Sequence, residues 1–211
     1  DDPDFCAFLD VASQCGFDAI ASECRILCSA STTAAPPTTT TTTTQPTTST
    51  TTSSIPLTGP NMYNASRDGD TEFVKRVLAA GVSPDWMGKS LFPAAENNHT
   101  QIVRALLEAG ADVNYFPPLG SGATAIYDAS AKGNTQVVQI LIDAGAHLNI
   151  GLRQCGNGPL HYAAQEGHVM TAVLLIKNGA NPNESSCVGT PMIAAGRAGH
   201  DVLAKIIASY I

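Results

Sequence analysis

The chain is short of positive charge: 11 lysines and arginines stand against 18 aspartates and glutamates, for a formal net charge of -7. A nucleic-acid binder needs a basic face to replace the counterions around phosphate, so no nucleic-acid partner is expected. An anionic membrane surface is disfavoured on the same ground. Long apolar runs are missing as well. None approaches the roughly 20 residues that cross a bilayer, so no membrane insertion is expected. Asp1-Asp2-Pro3 offers neither an initiator methionine nor a hydrophobic signal segment, as in a mature or trimmed chain. Signatures of catalysis are lacking too. No Ser-His-Asp order, paired carboxylates, phosphate-binding glycine loop or metal-ligand spacing stands out, which leaves no enzyme, cofactor, metal or small-molecule substrate to expect.

What is present is unevenly distributed along the 211 residues. Residues 1 to 30 hold four of the six cysteines, residues 31 to 58 are about half threonine, and the remainder alternates apolar helical runs with Gly-Ala or Asn-Pro turns. The chain divides into a head (1–30), a stalk (31–58) and a body (59–211).

Cys6, Cys15, Cys24 and Cys28 lie in a segment too short to bury a useful core without cross-links. Two disulfides are the simplest reading. A zinc site would want two close cysteine pairs, and only Cys24 and Cys28 are close, with no histidine before His99. The run from Asp2-Pro3-Asp4-Phe5-Cys6 to Cys24-Arg25-Ile26-Leu27-Cys28 resembles the small ShK-toxin-like domains of secreted proteins. That resemblance implies a helical, disulfide-rich head with Cys6 joined to Cys24 and Cys15 to Cys28. The family's outer cysteine pair is missing from both ends. Its channel-blocking members use a lysine beside an aromatic, whereas residues 1 to 30 have no lysine and carry Arg25 alone against six acidic side chains. Such a surface is repelled from a cation-channel mouth.

The stalk has almost nothing to bury and four prolines, at 36, 37, 46 and 56. It cannot offset its own ordering entropy, and disorder is expected. Serine and threonine tracts with proline resemble mucin-like O-glycosylated stalks.

In the body one motif recurs: Met62-Tyr63-Asn64-Ala65-Ser66, Leu91-Phe92-Pro93-Ala94-Ala95, Ile126-Tyr127-Asp128-Ala129-Ser130, Leu160-His161-Tyr162-Ala163-Ala164 and Met192-Ile193-Ala194-Ala195-Gly196. The spacings are 29, 35, 34 and 32 residues. A second apolar run follows each motif, and Gly110, Gly145 and Gly179 fall where helices must end. With Gly-Pro-Leu-His at 158 to 161 and Thr-Pro-Met-Ile at 190 to 193, the body resembles ankyrin repeats, whose period is roughly 33 residues. The fold class expected is mainly α, a helical solenoid of about five repeats. The last helix carries Val202, Leu203, Ile206, Ile207, Tyr210 and Ile211, a stripe wider than one buried face needs. Further repeats or a partner are expected to cover that end.

The resemblance to ankyrin proteins implies a protein partner, of a kind the sequence does not specify, held by loop tips and the concave helix face. The tips read as Trp86 and Met87, then Tyr115, Phe116 and Leu119 in a loop lengthened by Pro117-Pro118, then Ile150, Leu152 and Arg153. Aromatics and arginine are common interface anchors; the plainer reading is that several tuck beneath their own loops. His99, His168 and His200 occupy one place in three repeats, too far apart to share a metal, and read as structural hydrogen-bonding groups. Cys155 and Cys187 also fall at matching positions and are expected to be free thiols, because neighbouring repeats exceed the ~7 Å reach of a disulfide.

Compartment signals conflict. Head and stalk point outside the cell, and Asn64, Asn98 and Asn183 each begin an N-glycosylation triplet. Asn114 resembles the asparagine that intracellular ankyrin proteins have hydroxylated. The reading taken is a secreted or surface-exposed interaction protein. The alternatives are an intracellular ankyrin adaptor and a toxin-like channel or receptor modulator acting through the head.

Overall fold

The computed structural model describes residues 55–116, 123–151 and 156–211. The head, with Cys6, Cys15, Cys24 and Cys28, lies outside these residues, as do the stalk up to residue 54, Pro117, Pro118, Leu119, Leu152, Arg153 and Cys155. Ser54–Ile211 is one compact unit.

Among the described residues ten helices follow in pairs: α1 Gly59–Asp68 with α2 Thr71–Ala80, α3 Pro84–Glu96 with α4 Thr100–Glu108, α5 Ala125–Ala131 with α6 Thr135–Asp143, α7 Pro159–Gln165 with α8 Val169–Lys177, and α9 Pro191–Arg197 with α10 Asp201–Ala208. Each first helix packs on the next first helix and each second on the next second, giving two layers that advance one pair at a time. Among the described residues no strand forms, and the single isolated bridge joins Ser186 and Gly189.

Local chemistry explains the boundaries. Proline opens α7 and α9, where its missing N–H has no helical acceptor to lose. Gly110, Gly145 and Gly179 follow the second helices at φ 91, 85 and 100, a region open to glycine at little cost. The core runs between the layers. Met62, Leu91, Ile126 and Leu160 fill it from the first helices, and Leu106, Leu141, Leu175 and Leu203 from the second. Ala94, Ala95, Ala129, Ala163, Ala164 and Ala195 are buried where neighbouring pairs meet, and their small size permits the close approach.

Three expectations need correction. Trp86 and Met87 are not at a loop tip: Ser83-Pro84-Asp85 is itself a helix start, so α3 begins early and absorbs the connection expected there. Met87 is accordingly buried and Trp86 half-buried. The stalk, where disorder is expected, is ordered over its last residues, 55–58, and the Pro56 carbonyl there accepts from Asn61 Nδ2 at 2.9 Å. Cys187 is not a free thiol but disulfide-bonded. The reason is local: Ser186 and Gly189 exchange backbone hydrogen bonds, 3.0 and 3.1 Å, which lifts Cys187 to the exposed tip of a tight hairpin. His161 Nε2 meets the Gly189 carbonyl at 3.2 Å and ties that hairpin to the preceding repeat.

On the last helix Leu203 and Ile207 are buried and Ile206 and Tyr210 partly so, while Val202 and Ile211 stand 62% and 59% exposed. The stripe is thus half used by the stack itself.

Candidate functional site

The joints between repeats consume most of the candidate polar groups. His99 Nε2 lies 3.1 Å from the Arg67 carbonyl, and His168 Nε2 the same distance from that of Ala131. Asn134 does this service for the second and third pairs, donating to Ala95 and Glu96 carbonyls at 2.8 Å each. His200 lies against Gly167, where a Cβ would meet the imidazole at 2.5 Å. The histidines therefore act as links one repeat apart, and among the described residues no group of three or more His, Cys, Asp and Glu is placed to hold a metal. His161 is buried; its Nδ1 accepts from Gly158 N–H at 3.2 Å, which leaves Nε2 to donate to Gly189. Burial holds this imidazole below its ordinary pKa, against the smaller effect of the Gly189 carbonyl.

Asn114 is likewise engaged. Its Nδ2 donates to the Gly145 carbonyl at 3.2 Å and its Oδ1 accepts from His147 N–H at 2.8 Å. Asn149 repeats the pattern one unit on, with Gly179 and Asn181. Asn64, Asn98 and Asn183 are all exposed, Asn64 within α1 and Asn98 at φ 60 in the turn after α3.

The aromatic candidates are drawn inward. Tyr115 packs on Gly88, where an added Cβ would meet its ring at 2.3 Å, and stands edge-on to Phe92 at 6.0 Å. Its hydroxyl donates to Asp85, a bond that pushes the tyrosine up to about 12. Asp85 is held below the usual carboxylate range, first by Lys89 and then by Tyr115. Trp86 lies on Gly59 and under the Lys89 ammonium, 4.7 Å from the ring centroid. Phe116 is half-buried, and Ile150 remains 41% exposed. Trp86 and Tyr115 each fasten one repeat to another.

A different group was not singled out from the sequence. On α5, Tyr127 is only 7% exposed, and its ring leans on Tyr162 of α7 with centroids 4.4 Å apart. Burial and the nearby Tyr162 hydroxyl hold the Tyr127 phenol strongly protonated, yet its oxygen makes no hydrogen bond of acceptable geometry. Asp128, the next residue, is half-buried, and desolvation, then the charge of Glu96, pushes its carboxyl up to about 6. Lys132 offsets this only in part, since it pairs with Glu96 at 3.4 Å. The available signal was position: Asp128 and Tyr162 are the third residues of their motifs, one step off the apolar and small positions that pack.

A family model for ankyrin repeats in three copies matches residues 61–151 and 116–186, more than half the chain. The chain is an ankyrin-repeat protein. The matched span ends before α9, so the fifth pair is added by the structure. No curated protein matches the chain significantly. Ankyrin repeats are typically non-enzymatic modules for protein–protein interaction, and their presence here points to a protein partner. Among the described residues no helix is long and apolar enough to cross a membrane.

Proposed function

We propose that this chain is a secreted or surface-exposed binding protein whose ankyrin stack holds a protein ligand, with the head joined to it through the threonine-rich stalk. The observation that carries the binding reading is the face shared by α5 and α7. There the half-buried Asp128 carboxylate makes no hydrogen bond or ion pair among the described residues, and the Tyr162 ring, packed on Tyr127, stays partly exposed. Uncompensated polar groups cost stability, and a ligand that completes them recovers that cost.

The extracellular part is supported by the bonded state of Cys187, because disulfides persist in oxidising compartments. The intact mass of protein from its native source tests it, measured before and after reduction with alkylation and after deglycosylation. Disulfides plus O-glycan mass are expected; an unmodified chain with six thiols would return the intracellular adaptor as the working reading. Deleting residues 1 to 58 tests the site of action. Partner binding should survive, and its loss would move the activity to the head.

A further inference from the structure

We propose that the outward face of α10 docks a second copy of this chain, the two α10 helices lying antiparallel across a twofold axis with their Val202 side chains in contact. The ligand face assigned to α5 and α7 lies in the layer of first helices, and α10 belongs to the other layer. Such a dimer carries two ligand faces, so a multivalent ligand is held more tightly than by one chain.

Repetition shows what is unusual at this face. One position on the second helices is Glu72, Gln101, Gln136, Met170 and Val202 in the five pairs. Gln101 and Gln136 are exposed with a repeat on either side of them, so stacking does not cover this position, and a further pair would leave Val202 bare. The position is polar in the first three pairs and apolar in the last two, whose second helices α8 and α10 pack on each other. Met170 is half-exposed, Val202 is open to solvent, and the half-buried Ile206 stands one turn from Val202 on the same helical face. An apolar stripe rimmed by charge on an otherwise polar surface marks an interaction site.

The charges beside the stripe say what covers it. Asp201 and Lys205 are exposed one turn apart along one edge of it. The same spacing closes as an ion pair in α3, where Lys89 reaches Asp85 at 2.7 Å. Among the described residues neither Asp201 nor Lys205 enters an ion pair or a side-chain hydrogen bond. A twofold axis makes this open pair its own complement. With the helices antiparallel, Asp201 of each copy faces Lys205 of the other, on the same side of the Val202 contact. An unrelated partner would need both charges placed in reverse around an apolar strip; a second copy already has them. One helix face is a small interface, so the dimer is expected to be weak and reversible.

The test is sedimentation equilibrium of the full chain, disulfides intact, from about 1 µM to about 1 mM, a span that reaches weak association. The mean mass should rise reversibly from one chain toward two. Val202→Glu, which installs the side chain the first pair carries there, should weaken association tenfold or more, with the melting temperature of the dilute protein unchanged because the position is exposed. Asp201→Lys and Lys205→Asp should each weaken it severalfold by setting like charges face to face. An equal mixture of those two variants should recover it, since each then carries the charges the other lacks. A chain that stays monomeric to about 1 mM, a dimer that Val202→Glu leaves within twofold, or a mixture no stronger than its separate components would each overturn the docking of α10 on α10, and would leave the ligand face of the first helices standing.

Discussion

The two halves of the stack are fastened differently. In the N-terminal half, aromatic rings lie on glycines of the preceding repeat, Trp86 on Gly59 and Tyr115 on Gly88. In the C-terminal half, asparagine side chains bridge backbone groups, Asn114 to Gly145 and His147, Asn149 to Gly179 and Asn181. The same place after each second helix is Asp85, Asn114, Asn149 and Asn183 in turn. Where an amide stands at 114 and 149, it donates and accepts across the joint. Asp85 can only accept, and it takes the Tyr115 hydroxyl. One change of acceptor chemistry is thus accompanied by a change from directional hydrogen bonds to ring packing, while the turn-side links of His99, Asn134 and His168 continue through both halves.

The largest effect expected from breaking this contrast lies at Cys187. Cys187→Ser should destabilise the C-terminal half by roughly 2–4 kcal/mol, the ordinary range for a native disulfide, and leave the N-terminal pairs protected in hydrogen exchange. Non-reduced peptide mapping should recover Cys187 joined to Cys155. Gly158 lies three residues after Cys155, and Gly158 and Gly189 share the imidazole of His161. Recovery of a head cysteine instead would break that pairing.

Next comes Gly88→Ala. Inside an exposed helix this change stabilises by up to about 1 kcal/mol, but here the new Cβ would meet the Tyr115 ring at 2.3 Å. A loss of about 1–3 kcal/mol is expected from the overpacking, measured by chemical denaturation. A gain would show that the ring is not held there.

Asp128→Asn has the opposite sign. The folded-state carboxyl is raised from 3.8 to about 6, so the unpaired charge penalises folding fully above that range, and the penalty fades as pH falls toward the unfolded value. At pH 8 the asparagine variant should be more stable by about 1–2 kcal/mol, less than two full pKa units would give because the group is partly solvated. By pH 4 the difference should vanish. His161 acts against this trend in the parent protein: its lowered pKa contributes stability above the unfolded value that is lost as pH falls through it.

What the sequence disclosed depended on whether a position was fixed by repetition. The helix-pair pattern and the helix-ending glycines at 110, 145 and 179 followed from spacing, because every repeat solves one packing problem. Trp86 was misplaced because Ser83-Pro84-Asp85 looks like a turn until the shortened 29-residue spacing is understood as a lost loop. Asp128 and Tyr162 were missed for a related reason: they sit inside the repeated motif, and only the engagement of Lys132 by Glu96 reveals that Asp128 is unpaired. Side-chain competition of that kind leaves no periodic trace.

The smallest effect, and the finest test of the contrast, is at Asn149. Asn149→Ala removes two hydrogen bonds across the joint between the third and fourth pairs' loops, to Gly179 and Asn181, both at an exposed edge where water can replace them. About 1 kcal/mol should be lost, near the net value of a single protein hydrogen bond, since neither backbone group is left buried. Asn149→Asp sharpens the comparison. The carboxylate can still accept from Asn181 N–H but cannot donate to the Gly179 carbonyl, and unlike Asp85 it has no tyrosine placed to donate in return. If fastening depends on the amide's double role, the aspartate variant should fall at least as far as alanine. If it retains the parent stability, acceptance alone fastens this joint, and the difference between the two halves must be assigned to the rings and not to the asparagines.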